Sequence, residues 1–346
     1  MNREMNFENK KVAIIGGGVA GLSVATMLKR RNVEVRIFEK EEKAGGRLQQ
    51  WHCLFPDSSS SEKLAKELIN DAADAGVSIV TKTKIEDISN TDNRFRIVAN
   101  GHSYDCDAVI LANGFSLFDA ALKEEYGYGI YNRVITSAEL ESRMHNPDNA
   151  LNIDGETPGR VAFVHCVGSR DAKVGNHYCS KVCCITGVKQ AINIKKMYPG
   201  CEVTNFYMDL RMFGMGYEEL YREAQEKYGV NFIRGRVSES SQIDNNSIQI
   251  KAEDTLLGRT IKMNVDWLIL LVGIEPCTDV ALIATRLGLE KEPSGFLSPN
   301  NRFSQSSLTV RDGVFLAGSC IGPASIPDTI SHAKATALTV IDYLSK

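Results

Sequence analysis

Four cysteines fall within nineteen residues, Cys166, Cys179, Cys183 and Cys184, in the spacing C-x12-C-x3-C-C. Four soft thiolates in one compact segment suit an iron–sulfur cube or a zinc ion. Structural zinc favours C-x2-C knuckles, which present two thiolates from one tight turn. Adjacent Cys183 and Cys184, and the wide gap after Cys166, do not have that form. Neighbouring cysteines are also poorly placed for a strain-free disulfide with each other, and no C-x-x-C dithiol occurs in the chain. The spacing thus favours a [4Fe–4S] cluster, with redox thiols and zinc as the alternatives. Cys106, Cys201 and Cys277 read as small packed hydrophobes.

A second set of residues points to a nucleotide. The apolar run Lys11–Ile15 is followed at once by Gly16-Gly-Gly18-Val-Ala-Gly21 and a helical stretch, Leu22 to Arg30. Gly16 permits the tight turn, Gly18 lets backbone approach a pyrophosphate, and Gly21 lets helix pack on strand. The helix N-terminus offers amides and a positive dipole end to the phosphates. A second strand, Val33 to Phe38, ends at Glu39, placed to take the ribose hydroxyls. Gly45, Gly46 and Arg47 then resemble the FAD-specific loop of flavoproteins with two dinucleotide folds. Two further stretches fit that cofactor: Tyr104 to Asn113 and Gly114, passing under it, and Asp312 to Gly318 and Pro323, receiving its flavin end. A final helix, Ile330 to Leu344, follows the Ile326 segment with its N-terminus toward the flavin. FAD is the expected dinucleotide.

The flavin motifs lie at both ends of the chain with the cysteines between them. This order predicts an α/β flavoprotein of the thioredoxin reductase-like kind, with two dinucleotide-binding domains. Residues 1–115 and 265–346 form the FAD Rossmann domain, and residues 116–264 form an inserted Rossmann-like domain carrying the cluster. The insert repeats the first domain's grammar: strand Val161–Val164, a loop, helix Ile185–Met197, and strand Glu202–Met208 ending at Asp209. Asp266 to Gly273 mirrors Asp107 to Gly114 in its acid, apolar run and glycine. Where a second glycine loop would hold NAD(P)H, cysteines stand instead.

Other residues near these motifs have weaker claims. Lys189, on the helix leaving the cysteines, would stabilise a reduced flavin if it lies close, and is otherwise a solvated lysine. His165 and His177 flank the cysteines and would raise a cluster's potential by hydrogen bonding to sulfur. Cys53 follows the FAD loop and is a candidate redox thiol. Cys320 reads as packing, and Asp328 as a cap of the last helix.

Size and composition narrow the classes further. With 346 residues there is room for two domains, and 43% hydrophobic and 24% charged residues are ordinary for a soluble protein. A formal charge of −3 leaves no electrostatic footprint for nucleic acid. No apolar run reaches the length of a membrane span, and the polar stretch Met1 to Lys11 does not read as a signal peptide. Nine cysteines without such a signal suggest ligands or catalysts in a reducing cytoplasm.

Three motifs together resemble one family. Cys166-Val-Gly-Ser-Arg170, Tyr178-Cys-Ser-Lys-Val-Cys-Cys184 and Gly322-Pro-Ala-Ser-Ile-Pro-Asp328-Thr-Ile-Ser-His-Ala333 are similar to those of the flavin-carrying A subunit of heterodisulfide reductase. The resemblance runs nearly end to end and implies that Cys166, Cys179, Cys183 and Cys184 hold a [4Fe–4S] cube near FAD. The methanogen type carries added ferredoxin domains with C-x2-C-x2-C-x3-C runs, absent here. The short form resembles the corresponding flavoprotein of the heterodisulfide reductase-like complex of sulfur oxidisers. That likeness implies a homodimeric, cytoplasmic electron-transfer subunit working with cluster-binding B and C subunits, and with a lipoate-binding protein, in sulfur oxidation. The rival functions are a self-sufficient NAD(P)H-dependent disulfide reductase, which would need an intact second glycine loop and a dithiol, and a non-redox flavin-scaffolded binding module.

Overall fold

A computed structural model describes residue 7 and residues 9–91, 94–146 and 150–346. The chain divides into two compact units. One comprises the chain through Gln49, Glu62–Ser116 and Glu275–Lys346; the other comprises Gln50–Ser61 and Leu117–Ile274.

The first unit is built on a five-stranded parallel sheet. Its order is Val314–Leu316, Ala108–Leu111, Lys11–Ile15, Glu34–Phe38, Ser78–Val80. The central strands are buried on both faces, which is why they read as continuous apolar runs rather than alternating ones. Helices Val19–Lys29 and Ile326–Leu344 bury Leu22, Ala25, Leu28, Ala333, Ala337 and Val340 in one core with Val12, Ile14 and Ile110. A three-stranded antiparallel sheet, Ile85–Thr91, Arg94–Ala99 and His102–Cys106, packs Phe95 and Ile97 into a second core with Val109 and Leu111.

The second unit repeats the plan. Its parallel sheet runs Asn231–Arg234, Glu202–Tyr207, Arg160–Val167, Trp267–Val272, Val134–Thr136. Helix Cys183–Met197 lies on one face, and antiparallel strands Val237–Gln242, Ile248–Asp254 and Arg259–Val265 contribute to the core of the other. The repeat extends to single residues. Ile15 pairs with Phe38 and Leu111, and Val164 pairs with Phe206 and Leu270. In each unit the acid before the closing strand grips the start of the central one. Asp107 accepts from the Lys11 N–H at 2.7 Å, and Asp266 accepts from the Gly159 and Arg160 N–H groups at 2.8 and 2.9 Å.

This division departs from residues 1–115, 116–264 and 265–346 at two places. Trp267–Val272 belongs to the second unit, because it is the parallel partner of Arg160–Val167. Gln50–Ser61 also belongs there: Phe55 sits edge-on to Tyr217, with ring centroids 5.6 Å apart. Element boundaries move as well, the first helix starting at Val19 rather than Leu22. The central strand continues through Cys166 to Val167, the cysteine helix starts at Cys183 rather than Ile185, and the last helix starts at Ile326 rather than Ile330. Ser325 caps that last helix, accepting from the Asp328 N–H at 3.3 Å; Asp328 lies in its first turn and is not the cap.

Candidate functional site

In the first unit the glycines are fixed by contact. Gly16 holds φ +108°, and a Cβ there would stand 2.4 Å from the Ala112 carbonyl oxygen. A Cβ on Gly21 would stand 1.9 Å from the Gly16 oxygen. Both residues are required by the protein's own packing. Gly18 differs: its Cβ would meet only Gly46 Cα, at 3.8 Å. Gly18 also serves as the N-cap of helix Val19–Lys29 and provides no side-chain cap, so the first amides of that helix are available to an anion.

The remaining residues of this set shape the same cradle. Glu39 is buried, and its two oxygens accept from the Gly17 N–H (2.7 Å) and the Glu41 N–H (2.9 Å). Its carboxylate therefore secures the glycine loop, and its remaining lone pairs are what it can offer a ribose. The Gly45 N–H donates to the Gly17 oxygen at 2.8 Å, tying the loop of Gly45, Gly46 and Arg47 to the fingerprint. Arg47 lies over the Phe115 ring. Asn113 has both amide atoms buried without a partner, and Gly114 beside it, at φ +65°, has open space where a Cβ would be. Buried unpaired amides are costly, and a polar ligand against Asn113 would remove the cost. Gly318, at φ +73°, leaves no room for a side chain: its Cβ would stand 2.7 Å from that of Ala20. Ile326 begins the helix that follows this turn. The open face at Gly18, the uncapped helix and the orphaned amide fit a bound dinucleotide.

In the second unit the register shifts between Val164 and Val167, a β-bulge. Bulges re-aim side chains beside functional sites. Here His165 and Cys166, consecutive residues, both turn to the face covered by helix Cys183–Met197. Cys166, at φ +60°, joins the core of Cys183 and Cys184. His165 packs on Gly187, where a Cβ would come within 3.0 Å of its ring, and shares a 2.9 Å hydrogen bond with Asn205. By strand register, His165 and Cys166 occupy the places of Gly16 and Gly17, and Tyr207 that of Glu39.

Cys166, Cys183 and Cys184 are brought together. The single S–H of Cys183 can serve either neighbour, and this hydrogen bonding lowers the pKa of Cys166 and of Cys184 and raises its own. The uncapped N-terminus of the helix that begins at Cys183 adds to this preference for thiolate. The Cys184 sulfur lies 3.7 Å from the Asp209 oxygen, and Arg170 pairs with the Asp209 carboxylate at 2.6 Å. Cys179 is half-buried outside this hydrogen-bonded trio, its sulfur accepting from the Lys181 N–H at 3.3 Å. Among the described residues no group of three or more His, Cys, Asp or Glu side chains is spaced to hold a metal ion. The donor set fits an iron–sulfur cube in softness and number; the three hydrogen-bonded sulfurs would have to part to admit one.

Lys189 is not a free cation. It is buried, pairs with Glu141 at 2.7 Å and donates to the Cys53 oxygen at 2.7 Å. Gln190 donates to Glu141 at 2.6 Å, and Asn193 donates to the Cys53 sulfur at 3.2 Å. Removing one partner from such a pair typically costs about 3–5 kcal/mol. Glu141 carried no signal in the sequence, and neither did a second buried pair. There Lys123 meets Asp171 at 2.7 Å and anchors the loop between Cys166 and Cys179.

Residues 10–337 match the family described as pyridine nucleotide-disulphide oxidoreductase. The chain belongs to that family, and it is a flavoprotein oxidoreductase with FAD as its cofactor. Its sequence is similar to the iron-sulfur A subunit of CoB–CoM heterodisulfide reductase from Methanocaldococcus jannaschii, 34% identical over 96% of this chain and 64% of that protein. The A subunit of H(2):CoB–CoM heterodisulfide,ferredoxin reductase from Methanothermobacter marburgensis is 43% identical over 66% of this chain and 36% of its own length. The resemblance carried by the three motifs is thus borne out, although the chain spans only 64% of the first of these relatives. In fold it matches T. acidophilum thioredoxin reductase, with TM-score 0.68 and 19% identity over 96% of this chain and 99% of that one. The expectation of a two-domain thioredoxin reductase-like fold holds.

Proposed function

We propose that this chain is an FAD- and [4Fe–4S]-containing electron-transfer subunit of a heterodisulfide reductase-like complex. The observation that carries the proposal is the convergence of Cys166, Cys183 and Cys184 where the first unit has its glycine loop. Cys179 is the fourth ligand. The first unit is the FAD-binding domain and the second the cluster-binding one. Within the first, Gly16, Gly18, Gly21, Glu39, the loop Gly45 to Arg47, Asn113, Gly114, Gly318 and Ile326 form the cofactor's surroundings.

When bound, the flavin exchanges electrons singly or in pairs, and the cube takes one at a time. The chain's residues bind and position. The helix from Val19 takes the phosphates on free amides, and the Gly318 turn receives the flavin end. The helix from Cys183 directs amides at the sulfurs and favours the more negative, reduced state of a cluster there.

The complex is cytoplasmic and serves sulfur oxidation. This chain works in it as a homodimer beside cluster-binding B and C subunits and a lipoate-binding protein. Among the described residues no helix is long and apolar enough to cross a membrane. Anaerobic purification tests the proposal: about four irons and four acid-labile sulfides per chain are expected, and zinc or no metal would refute it.

The rival is a self-sufficient NAD(P)H-dependent reductase. Against it stand His165, Cys166 and Tyr207, which occupy the glycine-loop and ribose-acid positions of a second nucleotide site. NADH and NADPH are therefore expected to reduce the bound flavin slowly or not at all in stopped-flow mixing, while dithionite reduces it promptly. Rapid stoichiometric reduction by either nucleotide would favour the rival.

A further inference from the structure

His332 lies in the C-terminal motif, on the last helix. Its Nδ1 accepts the Gly318 N–H at 3.0 Å, and its Nε2 is 3.3 Å from Ser307 Oγ. Ser307 Oγ is 2.8 Å from Thr336 Oγ1, which donates to the Leu316 oxygen at 2.9 Å. One face of the last helix is thus stitched to strand Val314–Leu316 and to the turn after it. Gly318 is in turn packed against Ala20, in the first turn of the phosphate-facing helix. The Gly318 N–H needs a lone pair on Nδ1, so the network assigns the ring hydrogen to Nε2. A protonated imidazole would set N–H against N–H at the turn.

We propose that His332 is a positioning residue for the dinucleotide site: its unprotonated Nδ1 holds the Gly318 turn in shape, and a proton on Nδ1 loosens FAD. The inference rests on the FAD reading and is independent of any cluster. The groups that meet the ring are uncharged: the Ser306 carbonyl, Ser307 and the Gly318 backbone, while Thr336 meets the His332 main-chain oxygen. Burial lowers the His332 pKa from its ordinary value. The neutral form therefore belongs to the folded state. Its contribution is full above the ordinary histidine pKa and is lost as pH falls through the lower, folded value.

The test measures FAD release by fluorescence from the full chain from about pH 8, above the ordinary histidine pKa, down to about pH 4, so as to follow a titration lowered by burial. In the wild type, FAD affinity is expected to fall at least about tenfold across that range, a loss of one good hydrogen bond. His332→Gln, whose amide oxygen can accept from Gly318 and does not titrate, is expected to stay near wild type at high pH with a flattened profile. His332→Leu is expected to bind about tenfold more weakly throughout. If the glutamine variant copies the wild-type pH profile, the role of His332 is refuted. So is it if the leucine variant binds normally; should that variant fail to fold, the glutamine variant decides alone. A wild type without FAD would overturn the FAD reading itself, which separates the two failures.

Discussion

Gly18→Val is expected to yield a folded protein that releases no FAD on denaturation, whereas the wild type releases about one per chain. The two outcomes separate because of what surrounds this glycine. A Cβ at Gly18 meets only Gly46 Cα at 3.8 Å, so the apo chain has room for the substitution. The side chain instead fills the space over the uncapped helix where the proposed site would hold a pyrophosphate. Forcing ligand and valine together costs at least the ~1–3 kcal/mol of overpacking plus the displaced phosphate contacts. Circular dichroism should report native structure and flavin absorbance should be absent. Gly21→Val is the contrasting control: its Cβ would lie 1.9 Å from the Gly16 oxygen, so folding itself should suffer. A Gly18→Val protein with full FAD would remove the fingerprint from the site.

The second large effect is expected at the cysteines. Cys183→Ser and Cys184→Ser should each lose most of the iron while FAD stays at about one per chain, because the proposed flavin residues belong to another unit. Cys183 is the decisive position, since its thiol lies between Cys166 and Cys184 as hydrogen-bonding neighbours and the residue begins the helix. Cys106→Ser and Cys201→Ser should keep both cofactors. Burial raises each of these two thiols to about 12, as expected of inert packed cysteines. Iron and sulfide analysis with reduced-state EPR checks the set. Serine variants that keep full iron would defeat the ligand assignment. Iron loss from Cys183→Ser but not from Cys179→Ser would leave Cys179 out of it.

The local features are legible in the chain itself. Gly16, Gly18, Gly21 and Glu39 lie on consecutive elements, strand, turn, helix and strand, so spacing along the chain already fixes their spacing in space. The repeat of Asp107 to Gly114 in Asp266 to Gly273 is legible for the same reason. Followed to its conclusion, it would have placed Trp267–Val272 in the second unit rather than the first. Cys166, Cys183 and Cys184 are recognisable as a group from residue type alone.

Tertiary structure decided the rest. The bulge after Val164 puts two successive side chains on one face, which no period-two pattern announces. Glu141 and Lys189 are 48 residues apart, and Gly318 and His332 meet only because the last helix packs back on its own sheet. Cys53 follows the flavin loop in sequence, yet it is held in the second unit by Lys189 and Asn193. Composition and periodicity report the environment of a residue within its own element. Pairings across elements are set by burial and by the need to satisfy each polar group that burial removes from water, and only the folded chain reveals which partner meets that need.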